Sequence, residues 1–193
     1  MHLKIKHGEV ALKNNFTRML QLLEGVKQPV AIPNGSAGLY TDVKRSELGF
    51  NFAAKLNGQV HRARISLTLA TDNKVKVLDL TGTRPLIDLE NANPLSGQGV
   101  SSFLVNTLIN TLSNVLPETA IITGRLKAPM SLTLEPLAAR RNFWRRFGFN
   151  IESWGEGREL VVCELGNLST YSERLLGSEP TEGLDLLHQH LIS

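Results

Sequence analysis

Two turn signals inside the segment Leu48–Thr81 strongly restrict what this chain can fold into. Asn57-Gly58 and Asp72-Asn73 divide that segment into three runs with alternating apolar residues. Asn-Gly is the strongest short hairpin signal because both residues tolerate a positive φ. The pattern therefore predicts an antiparallel meander of three strands, Leu48–Leu56, Gln59–Thr71 and Lys74–Thr81.

The segment before the meander has a different pattern. Apolar residues at three- and four-residue spacing predict a helix from Glu9 to Glu24, and Gly25 is placed to end it. The next stretch, Gln28–Tyr40, is interrupted by prolines and glycines and follows neither periodicity. We expect a loop there.

Helices and strands alternate after the meander. A glycine-rich turn at Ser96–Ser101 leads into a periodic helix that Pro117 ends, and Ala120–Leu126 has the composition of a buried strand. The later elements expected are a helix at Leu137–Phe147, strands at Asn150–Trp154 and Arg158–Leu165, and one or two short helices from Tyr171 onward. Helical connections on both sides of Ala120–Leu126 predict parallel neighbours for that strand. The order predicts an α/β (α+β mixed) fold, a mixed and mostly antiparallel sheet flanked by helices.

Length and composition are those of one soluble domain. The chain has 193 residues, of which 41% are hydrophobic and 20% charged, and it can bury a core without a cofactor or disulfide. We divide it into a helical and loop region (1–47), a core (48–165) and a helical tail (166–193). With no signal sequence and no apolar run of the roughly 20 residues that span a bilayer, we expect a cytoplasmic protein without membrane association.

The reactive and charged residues exclude several kinds of site. Cys163 is the only cysteine and lies in an apolar run, so we expect it to be buried. The five histidines are scattered, apart from His188 and His190, and no acidic cluster accompanies them. A metal site is therefore not expected. A net charge of +3 permits anionic ligands without requiring nucleic acid.

The turn at Ser96–Ser101 is the first candidate site. Its glycines let the backbone approach a ligand closely, and the free N–H groups of a helix's first turn attract anions. Such turns also precede helices for steric reasons alone. The turn is therefore compatible with a bound phosphate but does not require one.

A second motif, Asn142–Phe149, combines aromatic pairs with two arginines and a Gly-Phe ending. Together with the glycine turn and the order of elements, it resembles the GNAT superfamily of N-acetyltransferases, as a divergent member, over about Leu48–Leu165. In that family the loop Gln/Arg-x-x-Gly-x-Gly/Ala binds the pyrophosphate of coenzyme A. The resemblance gives this role to Ser96, Gly97, Gln98, Gly99, Val100 and Ser101.

The resemblance also implies further contacts with acetyl-coenzyme A or another acyl-coenzyme A. They fall on Leu80, Thr81, Phe143, Trp144 and Arg146. Three of the motif positions depart from the family: Ser96, Ser101 and Trp144. Ser101 stands where the loop of the family has its last Gly or Ala. Ser96 stands where the family has Gln or Arg, and Trp144 stands where a tyrosine often protonates the departing thiolate. An indole N–H is not an acid at neutral pH.

The implied reaction transfers the acetyl group to an amine of a small molecule or protein. A carboxylate or a water molecule would deprotonate that amine, and Asp79 and Glu90 are the nearby base candidates. The connection Gly82–Leu95 is longer than in typical members of the family. Its apolar piece Leu86–Leu89 fits either a helix or a strand.

Three classes of function stay open. The first is an acyl-coenzyme-A-dependent N-acyltransferase. The second is a GNAT-like module that binds a ligand or protein without catalysis, which the changes at Ser96 and Trp144 favour. The third is a nucleic-acid or regulatory module that uses the arginines at 140, 141, 145 and 146, although interleaved aromatics and a large positive charge are missing. The oligomeric state is also open, with a homodimer through exposed sheet edges as one option.

Overall fold

An eight-stranded mixed sheet lies at the centre of the computed structural model, which describes residues 2–70, 74–78, 95, 97–126, 134–153 and 159–187. The elements follow one another along the chain as α1 (His2–Leu23), β1 (Lys27–Val30), β2 (Ser36–Lys44), β3 (Glu47–Leu56), β4 (Gln59–Leu69), β5 (Val75–Leu78), α2 (Val100–Ser113), β6 (Ile121–Leu126), α3 (Leu134–Arg146), β7 (Asn150–Ser153), β8 (Glu159–Glu164), β9 (Glu173–Arg174) and β10 (Pro180–Thr181). A 3-10 turn at Leu165–Asn167 follows β8.

The strand order across the sheet is β1-β2-β3-β4-β5-β6-β8-β7. Each neighbouring pair is antiparallel except β5 and β6, which α2 connects as parallel strands. The meander and its Asn57-Gly58 turn are confirmed, as is the mixed, mostly antiparallel sheet flanked by helices. The second turn, Asp72-Asn73, lies outside the described residues.

The loop predicted over Gln28–Tyr40 is wrong, because this stretch forms β1 and the first half of β2. Pro29 lies on β1, which is the edge of the sheet and pairs only with β2. An edge strand tolerates proline because one row of its N–H groups has no ladder partner. The prolines and glycines that suggest a loop therefore mark an edge hairpin.

The prediction of parallel neighbours on both sides of β6 is half wrong. β5 is parallel to β6, but the neighbour on the other side is β8, which is antiparallel. The connection through α3 carries the chain past this position to β7, and β8 then returns between β6 and β7. The strand order therefore depends on the hairpin of β7 and β8, whose second strand inserts beside β6 after the crossover through α3.

The prediction of helices from Tyr171 onward is wrong for its first part, where β9 and β10 form a two-stranded ladder, and residues 188–193 of its last part lie outside the described residues. Among the last described residues, only Leu186 and Leu187 are helical. Gly177 and Gly183 both have positive φ, at 81° and 82°, and such residues end a helix rather than continue it.

The three helices pack on one face of the sheet. On β3, alternate residues Leu48, Phe50 and Phe52 point to this face and are fully buried, and Phe52 meets Phe103 of α2 edge-on at 5.7 Å between ring centroids. Alternation through the ladders places Glu159 of β8 on the same face, where it binds α3. The core is thus a layer of apolar side chains between one sheet face and three helices.

Cys163 is buried in this layer, as predicted. Its thiol donates a hydrogen bond to the Gly148 carbonyl oxygen at 3.2 Å. Burial raises the pKa of the Cys163 thiol, so the neutral form is favoured.

Thr41 joins β2 to the end of α1 and offers a test of this packing. Its hydroxyl donates to the Leu23 carbonyl and accepts from the Val26 N–H at 3.1 Å, in a buried position. We expect Thr41→Val to lower the free energy of unfolding by about 1–3 kcal/mol, because buried backbone groups lose a partner. Urea denaturation measures the change.

Thr17→Val is the matched control, because the Thr17 hydroxyl donates within α1 to the Lys13 carbonyl at an exposed position. We expect a change below about 0.5 kcal/mol for this variant. Equal urea midpoints for the two variants would show that the Thr41 bonds do not hold β2 to α1.

Candidate functional site

The amino end of α2 is the candidate site that the fold creates. In sheets with parallel strands, ligands bind beyond the carboxyl ends of those strands, at the amino end of the crossover helix. Here α2 is the crossover between β5 and β6. Its N-cap is Gly99, in the left-handed region at φ 74°, and no side chain caps the first turn. The first-turn N–H groups are therefore suited to an anion.

The described part of the predicted turn is partly open to solvent. Gly97 and Gln98 are exposed, Gly99 and Ser101 are half-buried, and Val100 is buried. A Cβ added at Gly97, where φ is 68°, would meet nothing within 4 Å. Five predicted site residues lie outside the described residues: Asp79, Leu80, Thr81, Glu90 and Ser96.

The tail of the chain lies directly over the other half of this turn. We call residues 171–184 the tail strap. A Cβ at Gly99 would lie 2.2 Å from the carbonyl oxygen of Arg174, and the Leu176 N–H donates to the Gln98 carbonyl at 2.9 Å. Ser102, in the first turn of α2, donates from its hydroxyl to the Glu173 carboxylate. The close approach of the strap is therefore enough to explain the glycine at position 99.

Polar side chains of α2 fix the rest of the strap. The Asn106 side chain donates to the Tyr171 carbonyl at 2.8 Å and accepts from the Tyr171 N–H at 2.9 Å. The Thr107 hydroxyl accepts from the Leu184 N–H at 3.0 Å, and Asn110 donates to the Glu182 carbonyl at 3.0 Å. Ser102, Asn106 and Asn110 are spaced by four, so they share one helix face. That spacing is the sequence signal for the strap, and the sequence analysis missed it.

Trp144 of the second motif is a core residue. Its side chain is 1% exposed. The indole meets Phe143 edge-on at 5.3 Å and Phe149 at 5.2 Å between ring centroids, and Phe143 also meets Phe147 at 5.2 Å. These edge-to-face contacts fix α3 against the strands that follow it.

Three of the four arginines around α3 have partners among the described residues. Arg140 and Arg141 both bind the Glu159 carboxylate, which is 7% exposed, with Arg140 at 3.3 Å. The guanidinium of Arg146 lies over the ring of Tyr171, 5.2 Å from its centroid. These arginines thus join α3 to β8 and to the strap.

A polar network on the opposite sheet face was not predicted from the sequence. Arg64 of β4 donates to Asp42 at 2.6 Å, to Asn51 at 2.9 Å and to Glu47 at 3.1 Å. Gly49 lies beneath this network, and a Cβ there would be 2.3 Å from both Arg64 Nη2 and Asp42 Oδ1. The available signal is the alternation of polar residues along β3 and β4.

The network shifts the pKa of its members. Partial burial alone would raise the pKa of Asp42, but hydrogen bonds from Asn51, Arg64 and Lys44 outweigh it and hold the pKa below its ordinary value. Burial alone would lower the pKa of Arg64, and its bonds to Asp42 and Glu47 raise it instead. Asp42 is thus held as a carboxylate and is a poor proton acceptor at neutral pH.

The described ranges contain neither a metal cluster nor a membrane-spanning helix. No group of three or more His, Cys, Asp or Glu side chains there is arranged to hold a metal ion. None of the helices described there combines the length and apolar character needed to cross a membrane.

No protein-family model matches the chain, and no curated protein matches it. The resemblance to the N-acetyltransferases rests on residues 96–101 and 142–149 and on the order of elements, and it stays a prediction from the sequence.

A pair of glycine substitutions tests whether the strap requires Gly99. Alanine at either Gly97 or Gly99 costs about 1–2 kcal/mol for the left-handed backbone. At Gly99 the new Cβ also meets the Arg174 carbonyl, so we expect Gly99→Ala to cost about 2 kcal/mol more than Gly97→Ala in urea denaturation. Hydrogen exchange at Leu176 should quicken only in Gly99→Ala. Unchanged exchange there would mean that the strap does not depend on this glycine.

The Asp42 network makes a prediction about acid stability. Because the pKa of Asp42 is lowered in the folded protein, its contribution is complete above the unfolded pKa of about 3.9 and is lost as the pH falls through the folded value. We expect Asp42→Asn to be less stable than the wild type by about 1–2 kcal/mol at pH 7. The difference should shrink below about pH 4.

Urea midpoints measured from pH 7 down to about pH 2.5 check this expectation. Glu179→Gln is the control, because Glu179 is exposed and lies away from the network. A constant difference between wild type and Asp42→Asn across the whole range would contradict the assigned role.

Proposed function

We propose that this chain is an acyl-coenzyme-A-dependent N-acyltransferase that transfers an acetyl group from acetyl-coenzyme A to an amine. The observation that carries the proposal is the turn at Gly97–Gly99, which opens the crossover helix α2 of the parallel pair β5 and β6. The turn has no side-chain cap, and its first glycine is open to solvent. An uncapped helix amino end suits a pyrophosphate.

The order of elements supports the same proposal. The resemblance predicts a meander, a glycine turn, a helix, a strand, a further helix and a closing pair of strands. The described chain has β2 to β5, then α2, β6, α3, β7 and β8. Fold alone does not specify chemistry, so the proposal depends on the turn.

The residues of the turn fit the phosphates in part. Gly97 and Gln98 are exposed, and their backbone N–H groups are proposed to hold the pyrophosphate together with the first turn of α2. The Gln98 N–H donates to the Leu95 carbonyl at 3.4 Å, so it would exchange this long bond for one to a phosphate oxygen. When bound, coenzyme A supplies the acyl group as a reactive thioester. Trp144 is proposed to hold α3 in place rather than to move a proton, because its indole is buried among Phe143 and Phe149.

The base that deprotonates the amine is proposed to be Asp79 or Glu90, both of which lie outside the described residues. The acceptor is proposed to be an amine of a small molecule or of a protein. We also propose, from composition and the sequence pattern, that the protein is soluble and cytoplasmic and that it forms a homodimer through exposed sheet edges.

A binding module without catalysis is the second candidate, and two observations favour it. Trp144 replaces the proton-donating tyrosine of the family and is buried in the core. Glu173 places a carboxylate at the first turn of α2, where it competes with a phosphate. Thiol release with a panel of amines distinguishes the two candidates, because only the enzyme consumes acetyl-coenzyme A.

The test of acyl-donor binding uses position 97, where a side chain meets no neighbour. At a concentration of acetyl-coenzyme A 100 times its Kd, we expect the folded protein to gain about 2.7 kcal/mol and its Tm to rise. Gly97→Asp places a negative charge on the turn and should weaken binding at least about tenfold. Gly97→Asn is the matched control, because Asn and Asp both tolerate a positive φ.

Isothermal titration gives the Kd of each variant. Loss of binding in Gly97→Asp with retention in Gly97→Asn supports a phosphate at this turn. Equal Kd values for the two variants would place the acyl donor elsewhere, and no binding by the wild type or any variant would overturn the proposal.

A further inference from the structure

We propose that the tail strap is an autoinhibitory flap whose Glu173 carboxylate occupies the end of α2 that the phosphates of the acyl donor would use. This inference rests on the proposed function. The strap would thereby set how tightly the protein binds its acyl donor.

The Glu173 carboxylate lies at the first turn of α2. It accepts a hydrogen bond from the hydroxyl of Ser102, the third residue of α2. Ser102 is 3% exposed. A negative charge in the first turn of a helix is stabilised by the helix dipole, as a phosphate would be. Two anions at one helix end repel each other, so the carboxylate opposes phosphate binding.

The strap also covers the backbone on the same side of the turn. The Arg174 carbonyl lies against Gly99, and the Gln98 carbonyl accepts from the Leu176 N–H at 2.9 Å. A Cβ added at Gly97 would meet none of the described residues within 4 Å. The turn therefore has an open part at Gly97 and a closed part from Gly99 to Ser102, and an anion that needs the whole turn must displace the strap.

The attachment of the strap allows its tip to move. Its two ends are held by adjacent residues of α2, because Asn106 binds the backbone of Tyr171 and Thr107 binds the N–H of Leu184. The tip between these points carries β9 and β10, which pair over two residues each. Leu175 in the tip is 1% exposed, so lifting the tip takes an apolar side chain out of the core and keeps the flap closed without ligand. With both ends fixed, the tip is the part that an acyl donor must displace.

Two variants with the same change of charge test the flap. Glu173→Gln keeps the shape of the side chain and a hydrogen-bond partner for Ser102 but removes the charge. Glu179→Gln makes the same change at an exposed position of the strap. We expect Glu173→Gln to bind inorganic pyrophosphate and acetyl-coenzyme A about fivefold more tightly than the wild type at low salt, and Glu179→Gln to bind them as the wild type does.

Hydrogen exchange adds a readout that does not depend on affinity. Saturating acetyl-coenzyme A should quicken exchange at Leu176 in the wild type, because the tip must lift. Ser102→Ala, which removes the hydroxyl that holds the carboxylate, should quicken the same exchange without ligand. These results would support the flap.

Three results would count against it in different ways. Equal Kd values for wild type and Glu173→Gln would overturn the flap and leave the proposed function in place. An equal gain in Glu173→Gln and Glu179→Gln would overturn it as well, because the effect would be one of net charge. No binding by the wild type, Glu173→Gln or Ser102→Ala would overturn the proposed function, and the flap with it.

Discussion

Helix α2 packs against β3 and β4 on one side and lies under the tail strap on the other, so 11 of its 14 residues are buried. Burial of a polar side chain costs free energy unless it has a hydrogen-bond partner. Ser102, Asn106 and Thr107 obtain their partners from the strap or from the helix's own carbonyls. The strap and α2 therefore depend on each other for the hydrogen bonds of these buried side chains.

If the proposed function holds, the amino end of α2 has two competing uses. As a packed element it needs Gly99, because the Arg174 carbonyl leaves no space for a side chain. As a binding element it has an uncapped first turn and an open Gly97. Packing thus explains the glycine at position 99, while Gly97, two residues earlier, keeps the space that a ligand needs.

Much of the fold could be predicted from short stretches of sequence. The Asn57-Gly58 hairpin, the strand at Ile121–Leu126 and the burial of Cys163 follow from turn chemistry and apolar periodicity, which act over a few residues. The edge position of β1 and the insertion of β8 between β6 and β7 could not be predicted in this way, because both depend on which strands become neighbours in the sheet. The candidate site was located by its glycines, but its occupant Glu173 lies 71 residues from Ser102 in the chain.

The sequence by itself determined the local elements of this protein: the meander, the glycine turn and the helix that follows it. Tertiary structure alone decided that Trp144 is a core residue, that Arg64 joins Asp42 and Glu47, and that the tail covers one side of α2. The physical reason is the distance along the chain over which each interaction acts. Backbone propensity and side-chain period act within a turn or a strand, whereas a buried hydrogen bond requires two distant segments to reach the same place.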